Sequence, residues 1–176
     1  MSARGATALA LALGGCVIPP SQSSVGTIAT ADGVGARAAI GAHASALDDR
    51  GVVPVDLGAG WIGESVDGRG TAHATYVAVA RRVGGPLWLG GRAELFWSVD
   101  GDQPRRALMA RAALRQRLAG VRWGSTDGGG ALGVLGALAT GAYLDVGGRQ
   151  LASGAAEIVA AVGVSLELPA IAGASR

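Results

Sequence analysis

Apolar and polar residues alternate along most of this chain, beginning near residue 35. In the last clear stretch, Val162, Val164 and Leu166 alternate with Gly163 and Ser165. Successive side chains of a β-strand point to opposite faces, so this period of two predicts strands with two different faces. Seven segments carry the pattern: 35–46, 52–66, 71–82, 87–99, 105–119, 131–146 and 154–168. Residues 25–31 are a candidate eighth strand.

The segments between these strands are rich in aspartate and glycine, as in Asp67-Gly68-Arg69-Gly70 and Gly147-Gly148. Aspartate supplies local hydrogen bonds and glycine tolerates positive φ, which tight chain reversals require. Short links between consecutive strands predict an antiparallel meander. About eight strands of this length would close into a small β-barrel without free edges. The predicted fold class is therefore all-β.

Residues 105–118 are the ambiguous segment, because their composition favours a helix. On a helix, the large apolar residues would be scattered around the axis. On a strand, Leu108 and Leu114 share one face, and Arg111 and Arg115 lie on the other. We therefore predict a strand. The alternative is an α+β domain with a basic helix lying across the sheet.

Composition narrows the functions that the chain can have. Its 31 glycines are costly inside helices and argue against a helical bundle. All 15 basic residues are arginines and the net charge is only +2, so we expect no binding of nucleic acid. Cys16 is the only cysteine, so an exported chain would have no internal disulfide. The two histidines lie on separate strands without clustered acids, so we expect no metal site and no cofactor.

The two faces of the predicted strands differ in charge. One face is apolar, and the other mixes small residues with charged ones: Arg37, Asp56, Glu64, Arg92, Glu94, Arg111, Arg115, Asp145, Glu157 and Glu167. Strands of roughly 10 residues can cross an outer membrane at a tilt, with the apolar face toward lipid. We expect Ala78 and Val162 to face the apolar phase, and Arg92 and Glu157 to face the opposite way. In the alternative, the barrel is soluble and its apolar face forms the interior.

The N-terminal residues have the layout of a secretory signal. Arg4 precedes an apolar run, Ala6 to Leu13, which is too short to span a bilayer as a helix of about 20 residues. The sequence Leu13-Gly14-Gly15-Cys16 resembles the lipobox of bacterial lipoproteins. This resemblance implies cleavage before Cys16, followed by acylation of its sulfur and of its new amino group. The alternative is an ordinary signal with a chance cysteine.

These assignments divide the chain into four parts. They are a signal peptide (1–15), a lipidated tether rich in proline and serine (16–24), a β-barrel domain (25–170) and a C-terminal tail (171–176). Val17 stands where lipoproteins retained in the inner membrane often carry aspartate. The resemblance therefore implies a lipid-anchored protein of the outer membrane of a Gram-negative bacterium.

One basic segment is a candidate site for anions, because no acidic residue occurs between Asp102 and Asp127. The arginines of this segment are Arg105, Arg106, Arg111, Arg115, Arg117 and Arg122. Arginine binds phosphate through a two-pronged fork, which makes lipopolysaccharide a candidate partner. In the alternative, some of these arginines pair with acids on neighbouring strands and the others lie in turns.

A second short sequence suggests a catalytic site. His43-Ala44-Ser45 resembles the His-x-Ser sequence of outer-membrane lipid A deacylases, which are eight-stranded barrels. The carboxylate that would complete such a site cannot be assigned from the sequence. We expect this match to be accidental and the protein not to be an enzyme.

Together these observations predict a non-enzymatic, lipid-anchored envelope protein with a small β-barrel in or on the outer membrane. Its expected role is structural or in interactions. Its expected partners are membrane lipid, through acylated Cys16, and lipopolysaccharide or envelope proteins. The alternative is a soluble, membrane-tethered periplasmic β-barrel that binds an apolar ligand.

Overall fold

The computed structural model describes residues 17–18, 21–45, 55–97, 103–117, 139–168 and 171–172, and these residues form an all-β structure. Cys16, Arg122 and the predicted signal lie outside the described residues. The strands are β1 (Val17–Ile18), β2 (Ser21–Ala29), β3 (Val34–Ser45), β4 (Val55–Val66), β5 (Gly70–Gly84), β6 (Leu87–Phe96), β7 (Pro104–Arg117), β8 (Ala139–Leu151), β9 (Ala156–Leu168) and β10 (Ile171–Ala172).

Strands β2 to β9 form a closed barrel in which every strand is antiparallel to both of its neighbours. Closure occurs between β2 and β9, with Ser21 opposite Leu168 and Ala29 opposite Ala160. Following the paired positions once around the barrel shifts the register by about ten residues, so the strands are tilted against the barrel axis. The predicted eight-stranded meander barrel is confirmed.

The two ends of the barrel differ. At one end, which we call the turn rim, the strands are joined by the short segments 30–33, 67–69, 97–103 and 152–155. At the other end, the termini rim, β2 begins and β9 ends, and segments 46–54, 85–86 and 118–138 connect the strands. Outside the barrel, β1 pairs with β10, with Ile18 opposite Ile171.

The ambiguous segment 105–118 lies in β7 up to Arg117, its last described residue, which confirms the predicted strand. Arg111 is buried on the inner face, whereas Leu108 and Leu114 are exposed on the outer face. Alternation of apolar and charged residues therefore outweighed the helix-favouring composition, because each side chain in a barrel faces only one of two environments.

The predicted turn at Gly147-Gly148 is wrong, because both glycines lie within β8. The reversal occurs instead at residues 152–155. Gly147 is required by packing: an added Cβ would lie 2.8 Å from the sulfur of Met109 and 2.1 Å from the carbonyl oxygen of Leu108. The glycine thus allows close approach of two strands.

The predicted start of the barrel also needs correction. The domain was placed from residue 25, after a tether of residues 16–24, but β2 begins at Ser21. Gln22 and Ser24 are buried on the inner face, so the polar residues of this segment belong to the lumen. Because these inner positions are polar, the start of β2 has the composition of a linker and was predicted to be one.

The predicted faces of β5 are reversed in the structure. Tyr76 is only 4% exposed and Ala78 lies on the same inner side, whereas Val77 is 62% exposed. The expected face of Ala78 is therefore wrong, whereas Val162 is exposed on the outer face and Arg92 and Glu157 lie on the opposite, inner face, as predicted. The outer positions of β5 carry Thr71, Thr75 and Arg81 beside the valines, so the pattern of polarity predicted the wrong face. Alanine fits the crowded interior, and the bulkier valines lie outside.

Candidate functional site

An alternating chain of acids and arginines fills the lumen. Each member makes an ion pair with the next, in the order Asp32, Arg69, Glu157, Arg149, Glu64, Arg37, Glu94, Arg92, Asp145 and Arg111. Asp32 and Arg69 lie at the turn rim. The other eight side chains of this ion-pair series are at most 8% exposed. Buried charges are tolerated only when they are paired and hydrogen-bonded. The alternating order provides such pairing throughout.

The ion pairs in the middle of the lumen are the most enclosed of the series. Asp145 is fully buried and accepts hydrogen bonds from Arg92 Nη2 at 2.5 Å and from Arg111 Nε at 2.6 Å. Arg92 Nε also donates to Glu94 Oε1 at 2.7 Å. One carboxylate therefore bridges two arginines on neighbouring strands, which holds these strands in register.

The turn rim is closed by Arg69, which lies between β4 and β5. Gly68 and Gly70 on either side of it have positive φ values of 80° and 82°, which glycine adopts without strain. Arg69 Nη1 donates to Glu157 Oε1 at 2.5 Å, and Arg69 also pairs with Asp32. The hydrogen bonds to Glu157 raise the pKa of the Arg69 guanidinium above its ordinary value. This residue therefore remains a permanent cation over the lumen.

A second ionic cluster lies toward the termini rim. His43 Nδ1 is 3.0 Å from Asp56 Oδ1, and Arg115 Nη1 donates to Asp56 Oδ2 at 2.7 Å. Arg115 Nε is also 3.2 Å from Glu167 Oε1, and Gln22 donates to the same glutamate at 2.8 Å. Asp56 and Glu167 are thus joined through one arginine.

Two tyrosines occupy the space between these clusters. The guanidinium of Arg111 lies 4.5 Å from the ring centre of Tyr143, and that of Arg92 lies 5.4 Å from the ring centre of Tyr76. Paired glycines make room for each ring: Gly26 and Gly163 beside Tyr143, Gly41 and Gly60 beside Tyr76. An added Cβ at Gly163 would lie 2.8 Å from the Tyr143 hydroxyl. The lumen is therefore filled by side chains, as expected for eight strands.

The outer face has the opposite chemistry. Among the described barrel strands, no acidic residue is exposed, and the exposed charged residues are Arg81, Arg105 and Arg106. Large apolar side chains are exposed on all eight strands: Val25, Val34, Ile40, Val55, Leu57, Trp61, Val77, Val79, Val83, Leu87, Leu89, Leu95, Leu108, Leu114, Leu144, Val146, Ile158, Val162, Val164 and Leu166. On the same face, the rings of Trp61 and His73 stack at 5.2 Å between centroids. The outer face is therefore a continuous apolar band.

The structure divides the six arginines predicted to contact anions. Arg105 and Arg106 are exposed on the outer face. Arg111 and Arg115 point into the lumen and form ion pairs with Asp145, Asp56 and Glu167, as in the alternative interpretation. These two arginines are already compensated by carboxylates. Arg117 ends β7.

The histidine of the His-x-Ser sequence also faces the lumen. His43 is 6% exposed and Asp56 is its carboxylate neighbour, which sequence reasoning did not identify. Ser45 is opposite Asp56 in the pairing of β3 and β4. Because Arg115 also binds Asp56, the carboxylate belongs to the ionic cluster of the lumen. A lipid acyl chain on the outer face would not contact His43.

Arg149 and Arg69 are charged lumen residues that sequence reasoning missed. Arg149 Nη1 donates to Glu64 Oε1 at 2.5 Å, and Arg149 also pairs with Glu157. The incorrect turn at Gly147-Gly148 hid Arg149, and Arg69 was assigned to a turn. The predicted inner face carries more acids than arginines, including Glu64 and Glu157. This excess could have indicated that further arginines face the lumen.

A groove of about 690 Å³ opens toward the termini rim, beside the last residues of β7 and the first residues of β8. Its lining combines inner-face polar residues with outer-face apolar ones, including Ser24, Arg115, Ser165, Leu114, Val164 and Leu166.

No helix among the described residues is long and apolar enough to cross a membrane. In the same part of the chain, no group of three or more His, Cys, Asp or Glu side chains is arranged to hold a metal ion. No protein-family model matches the sequence, and neither a curated protein nor a solved structure shows significant similarity to it.

Proposed function

We propose that this protein is a lipid-anchored, non-enzymatic β-barrel that spans the outer membrane of a Gram-negative bacterium and has a structural or interaction role there. The observation that carries the proposal is the distribution of charge. The described strands expose apolar side chains and no acid on the outside, while the acids and most arginines lie within. A barrel surrounded by water would need the reverse arrangement.

Strand length supports the same proposal. The barrel strands contain 9 to 15 residues. A tilted strand needs about 9–11 residues to cross the hydrocarbon core of a bilayer, whereas strands in globular proteins have a mode of about 5–6. Closure of β2 on β9 also satisfies the backbone polar groups along the barrel wall, which lipid cannot do.

The filled lumen argues for a role other than transport or storage of an apolar molecule. The ion pairs around Asp145 and the rings of Tyr76 and Tyr143 occupy the space inside the barrel. An apolar ligand in this space would have to displace compensated charges, which costs several kcal/mol, on the order of 3–5, for a broken buried pair. The functional surfaces are therefore the outer face and the two rims.

A single arginine placed on the outer face tests whether that face meets lipid. Val162 lies in the middle of β9 and is 57% exposed, so Val162→Arg would put a cation near the bilayer midplane. We expect the free energy of unfolding in phospholipid vesicles to fall by about 2–4 kcal/mol. Urea titration followed by heat-modifiable gel mobility measures this change.

The matched control is Val83→Arg, since Val83 is equally exposed but lies at the termini rim beside Arg81 and Arg82. Near the interface the cost of arginine is only about 0–1 kcal/mol. Equal tolerance of arginine at positions 162 and 83 would contradict insertion, because an outer face in water accepts a cation at any height.

A further inference from the structure

The described arginines differ in whether an acid compensates them. Six form ion pairs: Arg37, Arg69, Arg92, Arg111, Arg115 and Arg149. Arg105 and Arg106 are consecutive, and both are exposed. Neither forms an ion pair with an acid in the described part of the chain. They lie where β7 begins, at the turn rim.

A β-bulge places both side chains on the same face. Pro104 is opposite Leu151 and Arg106 is opposite Gln150, so Arg105 is an extra residue on β7. In a regular strand, one of two consecutive side chains would point into the lumen. The bulge instead leaves both arginine side chains exposed on the outer face.

The surroundings of this pair combine a fixed cation with apolar neighbours. Arg106 Nε donates to Gln150 Oε1 at 2.8 Å, which orients the guanidinium without neutralising it. Leu95 is opposite Arg106 on β6 and is 64% exposed. Leu108, two residues further along the outer face of β7, is 70% exposed. The two arginines at the rim are therefore directly adjacent to the apolar band.

We propose that Arg105 and Arg106 form a binding site for the phosphate group of an anionic membrane lipid, whose acyl chains lie along Leu95 and Leu108. Arginine forks match the geometry of phosphate oxygens, and no acid among the described residues is paired with either arginine. The two neighbouring leucines provide apolar surface that a free phosphate ion would leave uncovered. This inference rests on the proposed insertion of the barrel.

The test measures binding of phosphatidylglycerol to the folded full-length protein in zwitterionic detergent, by native mass spectrometry. We expect the double substitution Arg105→Gln/Arg106→Gln to weaken binding at least tenfold, because it removes both positive charges and both planar forks. Arg105→Lys/Arg106→Lys keeps the charges without the planar forks, so its affinity should lie between those of the wild type and the Gln variant.

The matched control is Arg81→Gln/Arg82→Gln, which removes two positive charges at the other rim, where Arg82 Nε is already bound to the carbonyl oxygen of Gly85. We expect this variant to change the affinity less than twofold. An equal loss in both Gln variants would overturn the proposal in favour of general electrostatic attraction. Binding of inorganic phosphate with the same affinity as the lipid would overturn the role of the acyl chains.

Failure of this inference is distinguishable from failure of the proposed function. If the wild-type barrel inserts into vesicles but both Gln variants bind lipid as well as it does, only the phosphate site is wrong. If the wild-type protein does not enter vesicles at all, the proposed insertion is wrong. Heat-modifiable mobility of each variant shows that the barrel is folded before binding is measured.

Discussion

At the scale of single residues, Asp145 has the most demanding environment in the lumen. Its carboxylate is fully buried and is the shared partner of Arg92 and Arg111. Neither arginine can lose its proton at any ordinary pH, so their charges must be compensated by an acid. The position therefore requires an ionised carboxylate rather than merely a polar side chain.

Asp145→Asn should be strongly destabilising, because it leaves excess positive charge in an enclosed space. We expect the free energy of unfolding to fall by about 3–5 kcal/mol, measured by urea titration in vesicles. Asp32→Asn is the control, since Asp32 is the exposed end of the same ionic chain and should cost about 1 kcal/mol or less. Similar losses at both positions would show that burial does not govern these pairs.

At the scale of strands, β5 shows that side-chain size determines which face of a strand lies inside the barrel. Its inner positions carry Ala72, Ala74 and Tyr76, and its outer positions carry Val77 and Val79. The ring of Tyr76 fits because Gly60 on β4 and Gly41 on β3 have no side chains in its path. A large residue on one strand is thus accommodated by small residues on the next two.

Tyr76→Ala and Val77→Ala test this orientation of β5. Removing the Tyr76 ring leaves a cavity beside Arg92 inside the lumen, and we expect a loss of about 3 kcal/mol in unfolding free energy. Removing the outward methyl groups of Val77 should cost about 1 kcal/mol or less, because lipid or detergent chains fill the space. The opposite ranking of the two variants would mean that Tyr76 faces outward.

Much of the fold could be predicted from the sequence because alternation is a local signal. Arg92, Glu94 and Glu157 were assigned to the inner face by their charge alone. The faces of β5 were assigned in reverse, because its outer positions carry threonine and arginine beside valine, whereas its inner positions carry mostly alanine. The pairing of His43 with Asp56 was also beyond reach, since it depends on the register between β3 and β4. Gly147 was misread because a close approach between strands and a turn both require glycine.

At the scale of the whole molecule, the proposed insertion of the barrel and the proposed lipid anchor are two independent means of membrane attachment. The apolar band covers all eight strands and does not depend on residue 16. If the barrel is inserted, the lipid on Cys16 is a second attachment and not the only one. A soluble tethered barrel would instead depend wholly on this lipid.

Cys16→Ser separates these two cases. We expect the substitution to abolish labelling with a fatty-acid probe and to leave a larger, uncleaved precursor. We also expect this precursor to remain in the membrane fraction after alkaline carbonate extraction. To remove any contribution from the uncleaved signal, the barrel from Ser21 onward can be placed behind a cleavable signal without a cysteine. Release of that mature form into the soluble fraction would contradict an inserted barrel, whereas unchanged acylation in Cys16→Ser would contradict the lipobox.

An even number of barrel strands brings the beginning of β2 and the end of β9 to the same rim. If an anchor on residue 16 is inserted in the inner leaflet, that rim faces the periplasm. The described connections 30–33, 67–69 and 152–155 at the turn rim would then face the cell exterior. Each of these turns has only three or four residues, so each would give antibodies and bacteriophages little surface to bind.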